Sequence, residues 1–198
     1  MLWAGLLAAV DNDCSKYTAY AAVNNYGYSS RQQEVDSFHY EYGMKMGDGR
    51  SRKYSWDFYA GFTGPTYLVK STRYRQLVYG SSVTDTIGLA RVNDQGVFYI
   101  DSLTASEKPL LLFGKNVNDT WKVDIEDTYL YKKLIVFEGE QQIDGELVYV
   151  YSVKDEERPL VSGGNDIVKI YYSREKGFVK LLAQTHWGRT DMTKKKPG

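Results

Sequence analysis

The sequence has little of what most small enzymes and disulfide-stapled domains are built from. Its 198 residues include one cysteine, Cys14, four prolines and two histidines. A lone cysteine excludes an intramolecular disulfide and a cysteine-rich metal site. There is also no glycine-rich phosphate loop, no His-Glu-x-x-His, no Cys-x-x-Cys and no Gly-x-Ser-x-Gly. We therefore expect no cofactor, no metal centre and no standard catalytic apparatus.

Net charge is absent as well. The chain has 25 Lys and Arg residues and 25 Asp and Glu residues, so its formal net charge is zero. Binding to the phosphate backbone of a nucleic acid usually requires a strong positive field, so this balance argues against a nucleic-acid partner. The one basic run, Lys194-Lys195-Lys196, lies near the C-terminus. Residues 191–198 are expected to form a solvated basic tail.

Long hydrophobic runs are missing too. The apolar stretch Leu2–Val10 is too short to cross a bilayer as a helix, so the sequence predicts no transmembrane span. It ends abruptly at Asp11-Asn12-Asp13. We interpret residues 1–14 as the remnant of a leader peptide or a flexible N-terminal segment. The alternative is an ordinary apolar first element that packs on the domain.

Tyrosine, in contrast, is abundant, with 18 residues. Its ring packs while its hydroxyl reaches water, which suits half-buried strands. Between Val35 and Ala60 apolar residues fall on even positions, as at Phe38 and Phe58, and mostly polar residues fall between them. Gly47-Asp48-Gly49 supplies a tight turn at the centre. This alternation predicts a β-hairpin with one buried face.

The rest of the chain consists of short strand-like segments separated by turn signals, with no convincing amphipathic helix after residue 15. This pattern predicts the all-β class, with a single antiparallel domain over residues 15–190. Its sheet should be strongly curved and form an open barrel or a sandwich. In detail, we expect a break at Gly61–Pro65, a continuous strand from Tyr129 to Gln142, and a turn at Asp144-Gly145.

Aromatic residues provide the main functional lead in the back half of the chain. Tyrosines at alternating positions should line one face of adjacent strands, with two further aromatic residues nearby. In a groove, such rings could stack on a sugar, a lipid or a peptide. The other interpretation is that they are cross-strand core pairs. The candidate ligand-binding residues are Trp121, Tyr129, Tyr131, Tyr149, Tyr151 and Tyr171.

Two carboxylates near the Asp144-Gly145 turn allow an enzymatic alternative. Glu138 and Glu140 share the same parity, so on a regular strand their side chains would lie about 7 Å apart. That separation is within the range of paired glycosidase acids. A polar hairpin tip is the simpler interpretation, and His39 and His186 are interpreted as solvated. We therefore expect a non-catalytic protein, with a small hydrolase as a distant alternative.

A family resemblance rests on turn and strand features within residues 110–184. Asn118-Asp119-Thr120-Trp121 opens a strand, Glu138-Gly139-Glu140 precedes a tight turn and a Tyr-Val-Tyr strand, and Lys176-Gly177-Phe178 begins a closing strand. With these features the back half resembles β-rich domains of bacterial cell-envelope lipoproteins of the Bacteroidetes type. The resemblance implies export to the periplasm or the outer-membrane surface, and an open-barrel shape similar to lipoprotein carriers. It implies no catalytic residues.

Two functional hypotheses follow. In the first, the protein is an envelope-associated binding module that holds an amphipathic ligand, a lipid or a glycan, in an aromatic-lined groove. In the second, it is an accessory or assembly subunit that binds another envelope protein through exposed strands. A closed interior without a pocket would count against the first hypothesis.

Overall fold

The computed structural model describes residues 34–69, 72–101, 103–156, 165–185 and 188–195. The segment 1–14, with Cys14, and His186 lie outside these ranges. Every helix or strand assigned within them is a β-strand, so the all-β prediction is confirmed. No helix in this part of the chain has the length and apolar character that a membrane span requires.

The described residues form twelve strands. In chain order they are β1 (Glu34–Lys45), β2 (Ser51–Val69), β3 (Thr72–Gly80), β4 (Thr86–Asn93), β5 (Gly96–Ile100), β6 (Glu107–Leu112), β7 (Thr120–Val123), β8 (Lys133–Ile143), β9 (Glu146–Asp155), β10 (Asp166–Ser173), β11 (Gly177–Thr185) and β12 (Gly188–Lys194).

The strands form one antiparallel sheet in the order β6-β5-β4-β3-β2-β1-β12-β11-β10-β9-β8-β7. Nearly every strand pairs with its neighbour in sequence, while β1 pairs with β12 and joins the two six-stranded halves. The outermost strands, β6 and β7, approach each other: Trp121 Nε1 on β7 donates to the Leu110 carbonyl oxygen on β6 at 2.9 Å. The sheet is therefore nearly closed into a barrel.

The β1–β2 hairpin forms as its alternating pattern predicts. Phe38 lies opposite Phe58, and Tyr42 lies opposite Tyr54. Phe38 and Phe58 are fully buried, because the even positions face the interior. Gly49 has a φ of 81°, a left-handed conformation that favours glycine in this tight turn.

Two predicted element boundaries are wrong. The break predicted at Gly61–Pro65 does not occur, because β2 continues to Val69. A register irregularity between Thr63 and Tyr67 accommodates Gly64 and Pro65, and a bulge tolerates the missing N–H of a proline. The strand predicted from Tyr129 begins only at Lys133.

The start of the predicted basic tail also differs in the structure. Residues 191–194 are the second half of β12, not part of a solvated tail. Met192 is 2% exposed and packs in the core, and the Lys195 N–H donates to the Ser37 carbonyl oxygen at 2.8 Å. An apolar residue within a run of polar ones was too weak a signal to predict this strand.

Aromatic rings fill the interior of the sheet. Phe58 contacts Tyr79 at a centroid distance of 4.8 Å, and Tyr79 lies 6.0 Å from Phe178. Phe178 packs on Tyr172 at 5.2 Å, and Tyr172 on Phe113 at 5.8 Å. We call these five residues the aromatic row. It connects the two ends of the interior, so the sheet encloses a packed core.

The antiparallel order places consecutive turns alternately at two ends of the sheet. The β3–β4 turn and the β7–β8 loop therefore share one end. The start of β3 and the β10–β11 turn share the other end. Each end brings together one element from the first half of the sheet and one from the second half, and each carries a concave surface.

Candidate functional site

Three of the predicted ligand-binding tyrosines belong to buried clusters. Tyr149 and Tyr151 are 4% and 0% exposed in the interior, and the Tyr151 hydroxyl donates to the Leu112 carbonyl oxygen at 3.0 Å. Tyr171 faces the other side of the sheet, because its register partner is Val150 and not one of the inward tyrosines. There it packs with Val148 and Val150. These three tyrosines therefore do not line one groove.

Trp121 joins the two edges of the sheet. Its Nε1 atom is occupied by the carbonyl of Leu110, and its ring meets the Tyr151 ring edge-on at 6.0 Å. Both contacts lie at the place where β6 meets β7. Trp121 therefore has a structural role at this closure.

The remaining two predicted residues, Tyr129 and Tyr131, do lie at a cavity. They belong to the β7–β8 loop, which faces the β3–β4 turn across an open concavity of about 750 Å³. Among the described residues its lining includes three carboxylates and no lysine or arginine. We call it the acidic cavity, and it is lined by Tyr79, Thr84, Asp85, Thr86, Glu126, Asp127, Thr128, Tyr129 and Tyr131.

Local hydrogen bonds shape the loop side of the acidic cavity. The Thr128 hydroxyl donates to the Ile125 carbonyl oxygen at 2.8 Å and accepts from the Leu130 N–H at 3.0 Å. Tyr129 packs inward against Phe58 at 5.2 Å. Tyr131, in contrast, is 45% exposed. The loop thus anchors one ring in the core and presents the other at the rim.

On the opposite side, the β3–β4 turn folds back tightly. Asp85 accepts a hydrogen bond from the Ser82 N–H at 2.9 Å, and its own carbonyl oxygen accepts from the Tyr79 N–H at 3.1 Å. A Cβ atom on Gly80 would lie 2.3 Å from the Cβ of Asp85. Glycine at position 80 is therefore what allows this wall of the cavity to approach the strand.

The Tyr79 hydroxyl is an unusual feature of the acidic cavity. Tyr79 lines the cavity and is 2% exposed, yet its hydroxyl has no hydrogen-bond partner within the described part of the chain. Burial, together with the nearby charge of Asp166, raises the pKa of Tyr79 well above its usual value. The hydroxyl therefore stays protonated, and its donor capacity is not used by any group among the described residues.

A second concavity, of about 640 Å³, lies at the other end of the sheet. Its floor is apolar and includes Phe62, Tyr172 and Phe178, while several cationic side chains form its rim. We call it the basic cleft. Its charged lining residues are Asp36, Arg73, Arg75, Arg91, Arg174, Glu175, Lys176 and Lys194.

The basic cleft was not predicted from the sequence. Arg73 and Arg75 were visible only as charged residues within a strand-like segment, and Arg174 as part of a turn. The usable signal was their inward parity: Arg73 and Arg75 share the odd positions of Leu77, a fully buried core residue. Arginine residues at inward positions near the end of a strand indicate a charged opening at that end of the sheet.

The predicted pairing of Glu138 with Glu140 is wrong. A register irregularity between Phe137 and Gly139 inserts an extra residue, so the two carboxylates no longer share a face. Glu138 turns outward and accepts a hydrogen bond from Lys169 at 2.6 Å. Glu140 lies opposite Tyr149, whose side chain faces inward. The geometry therefore provides no pair of glycosidase acids here.

Other chemistry-bearing groups are occupied in ordinary ion pairs. His39 Nδ1 lies 2.9 Å from an Asp57 carboxylate oxygen, and the Lys195 ammonium donates to the same oxygen at 2.7 Å. Among the described residues no group of three or more His, Cys, Asp or Glu side chains could hold a metal ion.

Comparisons with known proteins add little to this description of the site. No family model matches the chain, and no curated protein matches it. Among solved structures, it is similar to a DUF1329 family protein from Desulfovibrio piger, at 12% identity and a TM-score of 0.19. The match covers 87% of this chain and 78% of that one. At this similarity the comparison supports no conclusion about function.

Proposed function

We propose that the protein is a non-catalytic binding module of the bacterial cell envelope that holds a glycan in the acidic cavity. The observation that supports this most directly is the cavity of about 750 Å³ with tyrosines and carboxylates around one opening. Its volume is within the usual range for small-ligand sites. The envelope location rests on the resemblance of residues 110–184 to lipoprotein domains.

The chemistry of the cavity suits a hydroxyl-rich ligand. Ionised carboxylates only accept hydrogen bonds, so Asp85, Glu126 and Asp127 are natural partners for sugar hydroxyl groups. Tyr79 also lines the cavity, and its buried hydroxyl has a donor that no group among the described residues uses. The Lys132 ammonium lies over one face of the half-exposed Tyr131 ring, 5.4 Å from its centroid, and a pyranose ring can stack on the other face.

A lipid is less well supported as the ligand of this cavity. The aromatic row fills the interior, so an acyl chain has no channel to enter from this end. The three carboxylates would also repel an anionic headgroup. The assembly-subunit hypothesis has less support as well, because the edge strands β6 and β7 are linked through Trp121.

Binding of soluble neutral hexasaccharides to the full chain tests the proposal. Maltohexaose, cellohexaose and chitohexaose would be titrated by calorimetry against the protein and against Tyr131→Ala. At least one sugar should bind, and loss of a stacking ring worth about 1 kcal/mol should weaken it roughly fivefold.

Tyr67→Ala is the matched control, because Tyr67 is a half-buried tyrosine at the other end of the sheet. It should leave the affinity unchanged. Failure of all three sugars to bind, or equal binding by Tyr131→Ala and the unaltered protein, would contradict the proposal.

A further inference from the structure

We propose that the basic cleft is a second, independent binding site, and that it takes an amphipathic oxyanion. The apolar part of such a ligand, an alkyl or acyl chain, would lie on the floor formed by Phe62, Tyr172 and Phe178. Its phosphate or carboxylate headgroup would meet the arginines of the rim. This site goes beyond the proposed glycan binding and does not depend on it.

Arg174 is the first residue that supports the site. Its guanidinium lies over the rings of Phe113 and Tyr149, with centroid distances of 4.9 and 5.2 Å. Ring faces hold a cation in place without using its N–H donors. Among the described residues Arg174 has no carboxylate partner, so its planar donor fork stays available for an oxyanion.

Arg73 supplies the second cation, from the opposite half of the sheet. It lies near the start of β3, in register with Leu68, on the strand face that also carries Arg75. Arg73 is exposed at the cleft, and the described part of the chain contains no carboxylate in ion-pair contact with it. Two guanidinium groups from two different walls therefore border one opening.

The remaining four cations of the cleft interact with groups of the protein itself, and the first of them, Arg75, donates to the Phe62 carbonyl oxygen at 3.2 Å. Lys194 lies 2.7 Å from an Asp36 carboxylate oxygen, and Lys176 lies 3.0 Å from Glu146. Arg91 pairs with Glu107. The carboxylate of Glu175 also lines the cleft and reduces the local charge. An incoming anion would therefore be recognised chiefly by Arg73 and Arg174, for which oxyanions are the preferred partners.

The floor explains why the ligand should be amphipathic and not a small inorganic anion. Phe62, Tyr172 and Phe178 are 9%, 2% and 1% exposed and belong to the main core. These rings contribute only their edges, and Val92, which is 42% exposed and also lines the cleft, adds most of the apolar surface below the charged rim. A chain that covers this surface should gain roughly fourfold in affinity for each methylene group it buries.

Titration of the full chain with inorganic phosphate, butyl phosphate, octyl phosphate and octanoate tests the inference. Octyl phosphate should bind at least tenfold more tightly than butyl phosphate, and butyl phosphate more tightly than inorganic phosphate. The affinity of octanoate relative to octyl phosphate distinguishes a carboxylate from a phosphate headgroup, and tight binding of either supports the site.

Two substitutions locate the binding. Arg174→Gln and Arg73→Gln should each weaken the tighter octyl ligand about tenfold, the usual scale for a lost charge-assisted hydrogen bond. Arg73 is exposed, so Arg73→Gln should fold normally. It therefore tests the site even if Arg174→Gln disturbs the fold. Arg50→Gln is the control, because Arg50 is 82% exposed at the opposite end of the sheet.

The inference would be overturned in three ways. The first is that neither octyl phosphate nor octanoate binds. The second is that both arginine variants bind these ligands as well as the unaltered protein does, and the third is that inorganic phosphate binds as tightly as octyl phosphate. Tyr131→Ala should bind octyl phosphate normally. If Tyr131→Ala loses affinity for the hexasaccharide but keeps its affinity for octyl phosphate, the basic cleft and the acidic cavity are separate sites.

Discussion

The acidic cavity and the basic cleft have the same construction and opposite chemistry. Each lies at one end of the sheet, between elements from the two six-stranded halves. In the part of the chain that the structure describes, the acidic cavity has three carboxylates and no lysine or arginine in its lining. The basic cleft has two arginines without carboxylate partners among the described residues.

The difference shows how a chain with no net charge can still carry local fields of both signs. The 25 cationic and 25 anionic residues balance over the whole sequence. Turns at opposite ends of an antiparallel sheet separate some of them by the length of a strand. Screening at physiological salt acts over about 8 Å, so each end should be sensed by ligands largely on its own.

The largest expected effect is on stability, and it tests whether the aromatic row supports both ends of the sheet. Phe178 is 1% exposed and contacts Tyr79 on the acidic side and Tyr172 on the basic side. Phe178→Ala should lower the free energy of unfolding by about 3–5 kcal/mol, because it leaves a cavity in the aromatic row. Chemical denaturation measures this loss.

The control for this substitution is Leu103→Ala, at a residue that is 79% exposed. It should leave stability nearly unchanged. Binding of hexasaccharide and of octyl phosphate should both weaken in Phe178→Ala. If only one of the two ligands were affected, the ends would not share a common support.

A smaller effect should distinguish the ends by their response to acid. Burial alone would raise the pKa of Asp101, but hydrogen bonds from Lys108 and from the N–H groups of Thr104 and Leu103 outweigh it and lower the pKa below its usual value. Asp101→Asn should cost about 1.5–3 kcal/mol at pH 7, as for a charge-assisted hydrogen bond.

The pH dependence of this cost has a definite sign. Because the pKa of Asp101 is lower in the folded protein, its contribution is fully present above the unfolded-state value near 3.8. It is lost as the pH falls through the folded-state pKa. The stability difference between the protein and Asp101→Asn should therefore shrink in acid. The control is Asp94→Asn, an exposed change at the basic end, which should leave stability nearly unchanged at pH 7.

The smallest effect concerns two tyrosine hydroxyls in the same core. Tyr79→Phe removes a buried hydroxyl without a partner among the described residues and should be neutral or stabilise the protein by about 1 kcal/mol. Tyr151→Phe removes a hydroxyl bonded to the Leu112 carbonyl oxygen and should destabilise it by about 1 kcal/mol. Thermal denaturation compares them.

The same pair of variants sharpens the assignment of the acidic cavity. If the Tyr79 hydroxyl donates to a bound glycan, Tyr79→Phe should weaken hexasaccharide binding even though the fold is no less stable. Tyr151→Phe should leave that binding unchanged. Equal affinity in Tyr79→Phe and the unaltered protein would remove Tyr79 from the site.

Alternation along the sequence was sufficient to predict the fold class, because a strand with one buried face must repeat with period two. Phe38 and Phe58 carried that signal in the β1–β2 hairpin. It failed at the bulges near Pro65 and Gly139, because a bulge shifts parity without a sequence mark of its own. The Glu138–Glu140 pairing was lost for this reason.

The binding site could be predicted only in part. Tyr129 and Tyr131 were selected because they are aromatic, and they do lie at the acidic cavity. Tyr149 and Tyr151 had the same pattern but face a filled interior. Periodicity assigns residues to a face, but whether that face meets a cavity depends on how distant turns come together. For the same reason Arg73 and Arg174 could not be paired beforehand.

The meander order has a consequence for how the chain folds. Among the described strands, the β1–β12 pairing is the one ladder between strands far apart in sequence, and it is short, with Phe38 opposite Lys194 and His39 opposite Thr193. Every other ladder can form from a local hairpin, which costs little loop entropy. Each six-stranded half can therefore assemble early, and the joining of β1 to β12 should be the late step that forms the acidic cavity and the basic cleft together.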